Sequence, residues 1–369
     1  MFIDKLSISN FRNIKNASLQ FDKGINIIYG ENAQGKTNLL EIFYVFSHGK
    51  GFRSRTDKEL LNFEEDNFDI DMSFFKNHKE ENLRICFSEE KKKEIFFNYS
   101  KVSKLSEFLG EFKCVLFTPE DLNLVKEGPS EKRRFLDSAL CQQSVKYFSY
   151  LINYNKILKQ KNALLKDFEN SENNLLLLDT YNGYLSKYGS FIAKCRFDFI
   201  NDIKKNAINF YREISSEKEN LTMKYLSFIE ISENSSEKEL FEKYYEILKK
   251  SIGADIEKGT STFGIHKDDI KFFIDKKEVK SFASQGQQRS VVLSLKLAEC
   301  ENIKERFDEY PVLLLDDIMS ELDIKRQDFI INNIKNKQVI ITVCDYERYK
   351  NLENSALYNV SGGVIRKVR

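Results

Sequence analysis

Apolar and polar residues alternate near the amino terminus in the pattern of β-strands. Phe2, Leu6 and Ile8 mark a first strand, and Ile25–Tyr29 is a short run rich in β-branched residues. From about Lys36 onward, apolar residues recur at helical spacing. The order of strand, glycine-bearing loop and helix is typical of an α/β core.

The middle of the chain has a different pattern. Between Pro129 and Gly183 there is neither glycine nor proline, and leucine, tyrosine and lysine recur at helical spacing. The region up to about residue 250 is therefore predicted to be mostly helical. Two polar stretches, 167–174 and 215–220, are predicted to connect helices.

Strand-like runs return towards the carboxyl terminus. Val312–Leu315 and Val339–Val343 are short apolar runs of the kind that form buried strands. Strands thus alternate with helices at both ends of the chain. We predict an α/β fold in which residues 1–125 together with 258–369 form one lobe around a mixed sheet, and residues 126–257 form an inserted, mainly helical lobe.

Composition narrows the function classes only slightly. The chain has 369 residues, of which 41% are hydrophobic, enough for a packed core in one large or two modest domains. With 58 basic and 57 acidic side chains, the net charge is +1, so a polyanion would need a local basic patch. Composition therefore neither supports nor excludes DNA. Six cysteines without a CxxC pair, and three histidines, indicate free thiols in a reducing compartment rather than a zinc site.

No segment indicates a membrane protein. Asp4 and Lys5 interrupt the apolar core that a signal peptide would need, and runs such as Leu175–Leu178 are too short to span a bilayer. The sequence therefore predicts a soluble, cytoplasmic protein with no membrane partner.

A phosphate-binding loop is predicted between the strand Ile25–Tyr29 and the helix that follows it. The segment fits GxxxxGK[ST] at every fixed position. Its glycines let successive N–H groups point at phosphates, and the helix adds its positive amino-terminal end. Lys36 is expected to reach the β- and γ-phosphates of ATP, and Thr37 to ligate Mg²⁺. The predicted phosphate-binding residues are Gly30, Glu31, Asn32, Ala33, Gln34, Gly35, Lys36 and Thr37.

Two carboxylates end the apolar run that begins at Val312. Beside a phosphate loop, this is the pattern of a Walker B strand, in which Asp316 holds Mg²⁺ and Asp317 is the catalytic carboxylate that polarises the attacking water. The alternative is a solvated pair at the end of a strand. Because aspartate is one methylene shorter than the glutamate usual in ABC-type ATPases, we expect a weak ATPase that acts as a switch.

A third segment is similar to the signature motif of ABC-type ATPases. Ser284, Gln285, Gly286 and Gln287 open a helix, where a serine and backbone amides form a second anion site. In ABC-type ATPases this motif contacts the γ-phosphate held by the other subunit. The usual LSGGQ is altered here, since Ala283 and Gln285 replace its leucine and first glycine. The alternative is an ordinary capped helix.

These motifs and their neighbours resemble the RecF family of bacterial DNA gap-repair ATPases, through nearly the whole chain. The resemblance implies an ABC/SMC-type ATPase head with an inserted helical lobe. The stretches that carry the resemblance are Leu6–Arg12, Tyr29–Thr37, Phe52-Arg53, Phe117–Leu122, Gly128-Pro129, Arg133–Asp137, Gly264–Asp269, Ser284–Arg289 and Asp316–Asp323.

The chain departs from the family pattern at Ile265 and Lys267, where the motif usually reads GPHRDD. Lysine keeps the charge of arginine but loses its planar fork, so a bidentate contact is not expected there. The segment Thr342–Asp345 contains no histidine where transporters place a switch histidine. A γ-phosphate switch of that type is therefore not predicted.

The resemblance implies a function in recombinational gap repair. RecF-like proteins form ATP-dependent homodimers, bind single-stranded, gapped or duplex DNA, and help RecR and RecO load RecA on single-stranded gaps. The resemblance also implies roles in DNA replication and SOS induction. None of these partners follows from composition or spacing.

Basic residues offer candidate contacts to DNA, although a charge run is more often a solvated face. Arg12 and Arg53 are predicted to contact either the nucleotide or DNA. The basic runs are Lys50, Arg53, Arg55 and Lys58; Lys91–Lys93; and Arg366, Lys367 and Arg369.

Two other functions share these motifs. The ATPase subunit of a transporter would carry LSGGQ and a switch histidine, and the sequence has neither. An SMC-like structural ATPase would join its half-sites through coiled-coil arms, but the insertion lacks sustained heptads.

Overall fold

The structure is a computed structural model that describes residues 1–347, 349 and 355–369. Its strands are β1 (Phe2–Phe11), β2 (Ile14–Gln20), β3 (Ile25–Tyr29), β4 (Asn67–Lys76), β5 (Lys79–Ser88), β6 (Lys92–Phe97), β7 (Ser100–Val102), β8 (Cys114–Phe117), β9 (Leu221–Leu226), β10 (Asp269–Ile274), β11 (Lys277–Glu278), β12 (Val312–Asp316), β13 (Val339–Val343), β14 (Ser355–Ser361) and β15 (Val364–Lys367). Its helices are α1 (Lys36–His48), α2 (Asn123–Lys126), α3 (Pro129–Cys141), α4 (Val145–Lys166), α5 (Glu172–Ile214), α6 (Glu237–Lys250), α7 (Ile252–Lys258), α8 (Val279–Phe282), α9 (Gln285–Phe307) and α10 (Ile324–Asn333).

The chain forms two compact units. The first contains Met1–Leu122, Glu213–Glu217 and Arg289–Arg369, and the second contains Asn123–Arg212 and Lys218–Gln288.

The first unit contains a largely parallel sheet in the order β15-β14-β3-β13-β12-β8. Every residue of β8, β12 and β13 is buried, as expected for parallel strands covered on both faces. Only β15 runs antiparallel to its neighbour. Because β3, β13 and β12 are parallel, their carboxyl ends meet at one edge of the sheet.

A second sheet of the first unit has the order β2-β1-β4-β5-β6-β7 and is antiparallel throughout. Along β4, buried residues alternate with partly exposed ones, which is the pattern of a sheet with one face on the core. The predicted α/β fold with a mixed-sheet core is therefore confirmed.

The second unit is mainly helical, as predicted, and its longest helix is α5 with 43 residues. The polar stretch at 167–174 does connect two helices, since α4 ends at Lys166 and α5 begins at Glu172. None of the helices in the described part of the chain is long and apolar enough to cross a membrane.

Two details of the predicted insertion are wrong. The stretch 215–220 leads from α5 into strand β9, not into another helix. Strand β10 pairs along its whole length with β9, so residues 258–288 group with the second unit, although they were assigned to the first lobe. The cause is β9 itself, whose alternation of buried and exposed residues lasts only a few positions within a helical region.

Candidate nucleotide site

The predicted motif residues of the first unit meet at the carboxyl edge of its parallel sheet. Tyr29, at the end of β3, pairs with Val343 of β13, and Thr342 of β13 pairs with Asp316 of β12. This alignment brings the loop after β3 and the two carboxylates at the end of β12 to the same edge.

Left-handed backbone conformations curl the phosphate loop. Ala33 has φ 63° and Gly35 has φ 112°. A Cβ atom on Gly35 would lie 2.5 Å from Oδ1 of Asn13, and one on Gly30 would lie 2.2 Å from the carbonyl oxygen of Val360. Gly30 is therefore required by its close approach to the backbone of Val360, and Gly35 by its left-handed backbone conformation.

The side chain of Lys36 lies over the phosphate loop. Its ammonium donates hydrogen bonds to the carbonyl oxygens of Gly30 at 2.7 Å and Glu31 at 2.8 Å. Lys36 is only 7% exposed, so its charge is largely removed from water. An anion bound by the loop would meet this charge in a poorly solvated place, where electrostatic attraction is strong.

A hydroxyl and a carboxylate lie side by side next to the loop. Oδ1 of Asp316 accepts hydrogen bonds from Oγ1 of Thr37 at 2.9 Å and from Oγ1 of Thr342 at 2.8 Å. Burial raises the pKa of the Asp316 carboxyl, while these two hydrogen bonds and the charge of Arg53 oppose that rise. Hydroxyl and carboxylate oxygens are ligands that Mg²⁺ prefers, so Thr37 and Asp316 fit the predicted ion.

Asp317 adopts a left-handed conformation, with φ 49°, at the end of β12. Its backbone N–H donates to Oγ1 of Thr342 at 2.9 Å, which anchors the turn to β13. Its Oδ1 lies 3.9 Å from Sγ of Cys344, and the same sulfur lies 3.9 Å from Nζ of Lys36. The side chain of Asp317 therefore borders the same space as the lysine of the loop.

The sequence motifs predict no role for Cys344, which lies in the segment Thr342–Asp345 that lacks a histidine. It is exposed, whereas the other five cysteines are buried or half-buried. Its thiol donates a hydrogen bond to Oδ1 of Asn32 at 2.9 Å. Its place directly after the last residue of β13 was the signal that could have identified it as a site residue.

Arg12 and Arg53 both contact Glu41, a fully buried residue of α1 that the sequence did not single out. Arg12 donates to Oε2 of Glu41 through Nε at 2.9 Å and Nη2 at 2.8 Å. The backbone N–H of Arg53 donates to Oε1 at 3.1 Å. Arg12 thus has a structural partner on the helix that follows the phosphate loop, while the charge of the Arg53 guanidinium partly opposes the rise that burial causes in the pKa of Asp316.

The segment that resembles the signature motif lies in the second unit and begins helix α9. Oγ of Ser284 accepts from the N–H of Gln287 at 3.2 Å, and Oε1 of Gln287 accepts from the N–H of Ser284 at 2.8 Å. This reciprocal pair is a capping box. Ser284 and Gln285 are exposed and Gly286 is half-buried, so the capped helix end is accessible to a ligand.

Ion pairs partly neutralise the basic runs. Lys58 pairs with Glu89 at 2.5 Å and Lys93 with Asp57 at 2.6 Å. Near the carboxyl terminus, Lys367 pairs with Asp22 at 3.0 Å. These contacts give each of the three lysines a partner within the protein, and the geometry singles out no run as a DNA surface.

Residues 2–365 match the model of the RecF/RecN/SMC N-terminal domain. The chain is 40% identical to the DNA replication and repair protein RecF of Clostridioides difficile strain 630, over 98% of this chain and 97% of the relative. The chain belongs to the RecF family. RecF of Clostridium novyi strain NT is 39% identical over the full length of both chains.

Solved structures place the fold in the same family. The structure of the recombination mediator protein RecF-ATPrS in the RecFOR pathway has 34% identity and a TM-score of 0.91, covering 100% of this chain and 98% of that chain. An SMC head bound to the C-winged helix domain of ScpA shares the fold, with a TM-score of 0.56, 16% identity, and coverage of 100% of this chain and 97% of that chain. The predicted ABC/SMC-type head is therefore confirmed.

Cys344 gives a direct chemical test of this RecF-family site. A maleimide should label Cys344 faster than the other cysteines because its sulfur is exposed. ATP with Mg²⁺ should slow this labelling, because a phosphate held by Lys36 would lie beside the thiol. Peptide mass spectrometry measures the rate at each cysteine, and Lys36→Ala serves as the variant that ATP should not protect. Equal labelling rates with and without ATP in the wild type would place the nucleotide elsewhere.

Proposed function

We propose that this RecF-family chain is an ATP-dependent DNA-binding protein of recombinational gap repair, which dimerises on ATP and hydrolyses it slowly. The observation that carries the proposal is the 2.9 Å hydrogen bond between Thr37 and Asp316. It joins the phosphate loop's helix to the end of the Walker B strand, as a shared Mg²⁺ site requires. Two solved structures that resemble this chain over its full length are those of RecF-ATPrS and RecF-ATP.

The proposed roles in binding follow from the geometry of the loop. Backbone N–H groups of residues 30–37 cradle the phosphates, and Lys36 exchanges its two carbonyl contacts for phosphate oxygens. Thr37 and Asp316 hold Mg²⁺, which neutralises charge on the β- and γ-phosphates when bound.

Asp317 is the proposed catalytic carboxylate. Its side chain borders the space around Lys36, and the one contact of its carboxylate among the described residues is a long one, 3.9 Å to Sγ of Cys344, so the carboxylate is available to orient water. Because an aspartate reaches less far than a glutamate, hydrolysis is slow and the ATP state is long-lived. A long-lived state suits a switch.

Two substitutions separate the roles of the neighbouring aspartates. Asp317→Asn should keep ATP binding and lower the hydrolysis rate by about a hundredfold or more, since general-base contributions are of that order. Asp316→Asn should instead weaken the Mg²⁺ dependence of ATP binding, because it removes a charged ligand. Phosphate release and fluorescent-nucleotide titrations with and without Mg²⁺ measure the two effects. If Asp317→Asn hydrolyses ATP at the wild-type rate, the general base is another group, and Glu120 and Asp121 are the next candidates.

The dimer is proposed to close by placing the signature segment of one chain on the nucleotide of the other. The proposed contacts to that nucleotide are the exposed Ser284, the Gly286 amide and the amino-terminal end of α9, which are the kinds of group that bind anions at the start of a helix.

Ser284→Arg tests this closure. The bulky cation should block ATP-driven dimerisation while leaving ATP affinity of the monomer nearly unchanged. Ser171→Arg is a matched control, because Ser171 is also an exposed serine that caps a turn of the second unit, through the N–H of Asn174 at 3.3 Å. Light scattering at saturating ATP gives the mass of each variant. If Ser284→Arg dimerises like the control, the segment only caps helix α9 and takes no part in dimerisation.

DNA and the pathway partners are proposed from the family. Relatives are described as DNA replication and repair proteins, and a similar solved protein as a recombination mediator of the RecFOR pathway. We propose that this chain acts in the cytoplasm with RecR, RecO and RecA at single-stranded gaps, and contributes to DNA replication and the SOS response.

The near-zero net charge predicts that DNA binding depends on dimerisation. Because the chain carries a net charge of only +1, a DNA surface should be assembled when two chains combine. Affinity for gapped DNA should therefore rise with ATP and fall steeply with salt. Fluorescence anisotropy over a salt series measures the effects of ATP and of salt on DNA affinity. Lys36→Ala, which should not respond to ATP, is the control. Equal affinity with and without ATP in the wild type would separate DNA binding from the nucleotide.

A further inference from the structure

The carbonyl oxygen of Gln34 is held from outside the phosphate loop by two donors. Nδ2 of Asn13, in the turn between β1 and β2, donates at 2.9 Å. The N–H of Gly363, in the turn between β14 and β15, donates at 3.1 Å. Neither Asn13 nor Gly363 belongs to the nucleotide-binding motifs described above, and the two are far apart in the sequence.

These contacts fix the direction of the next peptide N–H. A trans peptide is planar, so the carbonyl of Gln34 and the N–H of Gly35 point in opposite directions. No cis peptide bond occurs in the described residues. With the Gln34 carbonyl drawn towards the two turns, the Gly35 N–H faces away from them, towards the side of the loop on which phosphates bind in this motif.

The amide of Asn13 is itself oriented by the helix after the loop. Nδ2 of Asn38 donates to Oδ1 of Asn13 at 2.8 Å, which leaves the donor end of Asn13 facing Gln34. The packing is also close, because a Cβ atom on Gly363 would lie 2.0 Å from the carbonyl oxygen of Asn13. Asn13, in the turn between β1 and β2, therefore contacts the phosphate loop, helix α1 and the turn between β14 and β15.

We propose that Asn13 and Gly363 are positioning residues of the phosphate loop, which aim the Gly35 N–H at the polyphosphate of a bound nucleotide. The inference rests on the proposed ATP-binding function and adds two chain segments to that site. It implies that the hairpin of β14 and β15 supports nucleotide binding although it carries no motif.

A pair of glycine substitutions tests the contact. Gly363→Ala places a Cβ against Asn13 at φ 79°, and should push the turn away from Gln34. Gly362→Ala is the matched control, because it has φ 55° but its Cβ would meet nothing within 4 Å, and alanine keeps the N–H that donates to Oε1 of Gln34. We expect Gly363→Ala to lower the affinities for ATP and for ADP equally, by about tenfold, because the Gly35 N–H would lose its hydrogen bond to a charged phosphate. Gly362→Ala should bind both nucleotides like the wild type.

Asn13 substitutions test the same geometry independently. Asn13→Ala removes the donor, while Asn13→Asp turns an acceptor towards the Gln34 carbonyl and should weaken ATP binding further. Asn16→Ala, at an exposed asparagine of β2, is the control. Calorimetric titration gives the affinities, and the unfolding midpoint without nucleotide should stay close to that of the wild type.

The outcomes separate the inference from the function on which it rests. A wild type that does not bind ATP would remove the proposed function, and the inference with it. Normal ATP binding in the wild type, Gly363→Ala and Asn13→Asp would overturn the inference alone. Equal losses in Gly363→Ala and Gly362→Ala would also overturn it, since a general disturbance of the turn, and not the clash with Asn13 that only Gly363→Ala introduces, would then be the cause.

Discussion

The alignment of β3, β13 and β12 is the constraint on which the first unit's site depends. Because the strands are parallel and Thr342 pairs with Asp316, a single hydroxyl can bind both the Asp316 carboxylate and the N–H of Asp317. A shift of one residue would turn these side chains to the other face of the sheet. The wholly buried β12 and β13 make such a shift costly, since it would move apolar residues out of their packing.

The local motifs could be predicted from sequence because their chemistry depends on neighbours along the chain. The phosphate loop needs glycines at fixed spacing before Lys36 and Thr37, and all of these lie within the eight residues 30–37. The same holds for Asp316 and Asp317 at the end of an apolar run. A phosphate loop and a Walker B strand are expected to lie together, and the hydrogen bond between Thr37 and Asp316 shows how the two segments meet in this chain.

The supporting residues could not be predicted because their partners are distant in sequence. Glu41 looks like one more polar residue of a helix until Arg12 is seen against it. Asn13 and Gly363 meet the loop only in the folded chain. Strand β9 was missed for a related reason, since six residues of weak alternation form a strand only because β10 supplies their hydrogen bonds.

The distribution of charge suggests how the site can accept a ligand without large rearrangement. Lys36 binds neutral carbonyl groups, and Asp316 binds neutral hydroxyl groups, so an incoming phosphate and Mg²⁺ would replace neutral partners. Breaking a buried ion pair would leave an uncompensated charge and cost about 3–5 kcal/mol. The ion pair nearby, between the half-buried Arg12 and the buried Glu41, involves neither Lys36 nor Asp316 and would stay intact in this scheme. Ligand binding at the proposed site would therefore require no ion pair to break there.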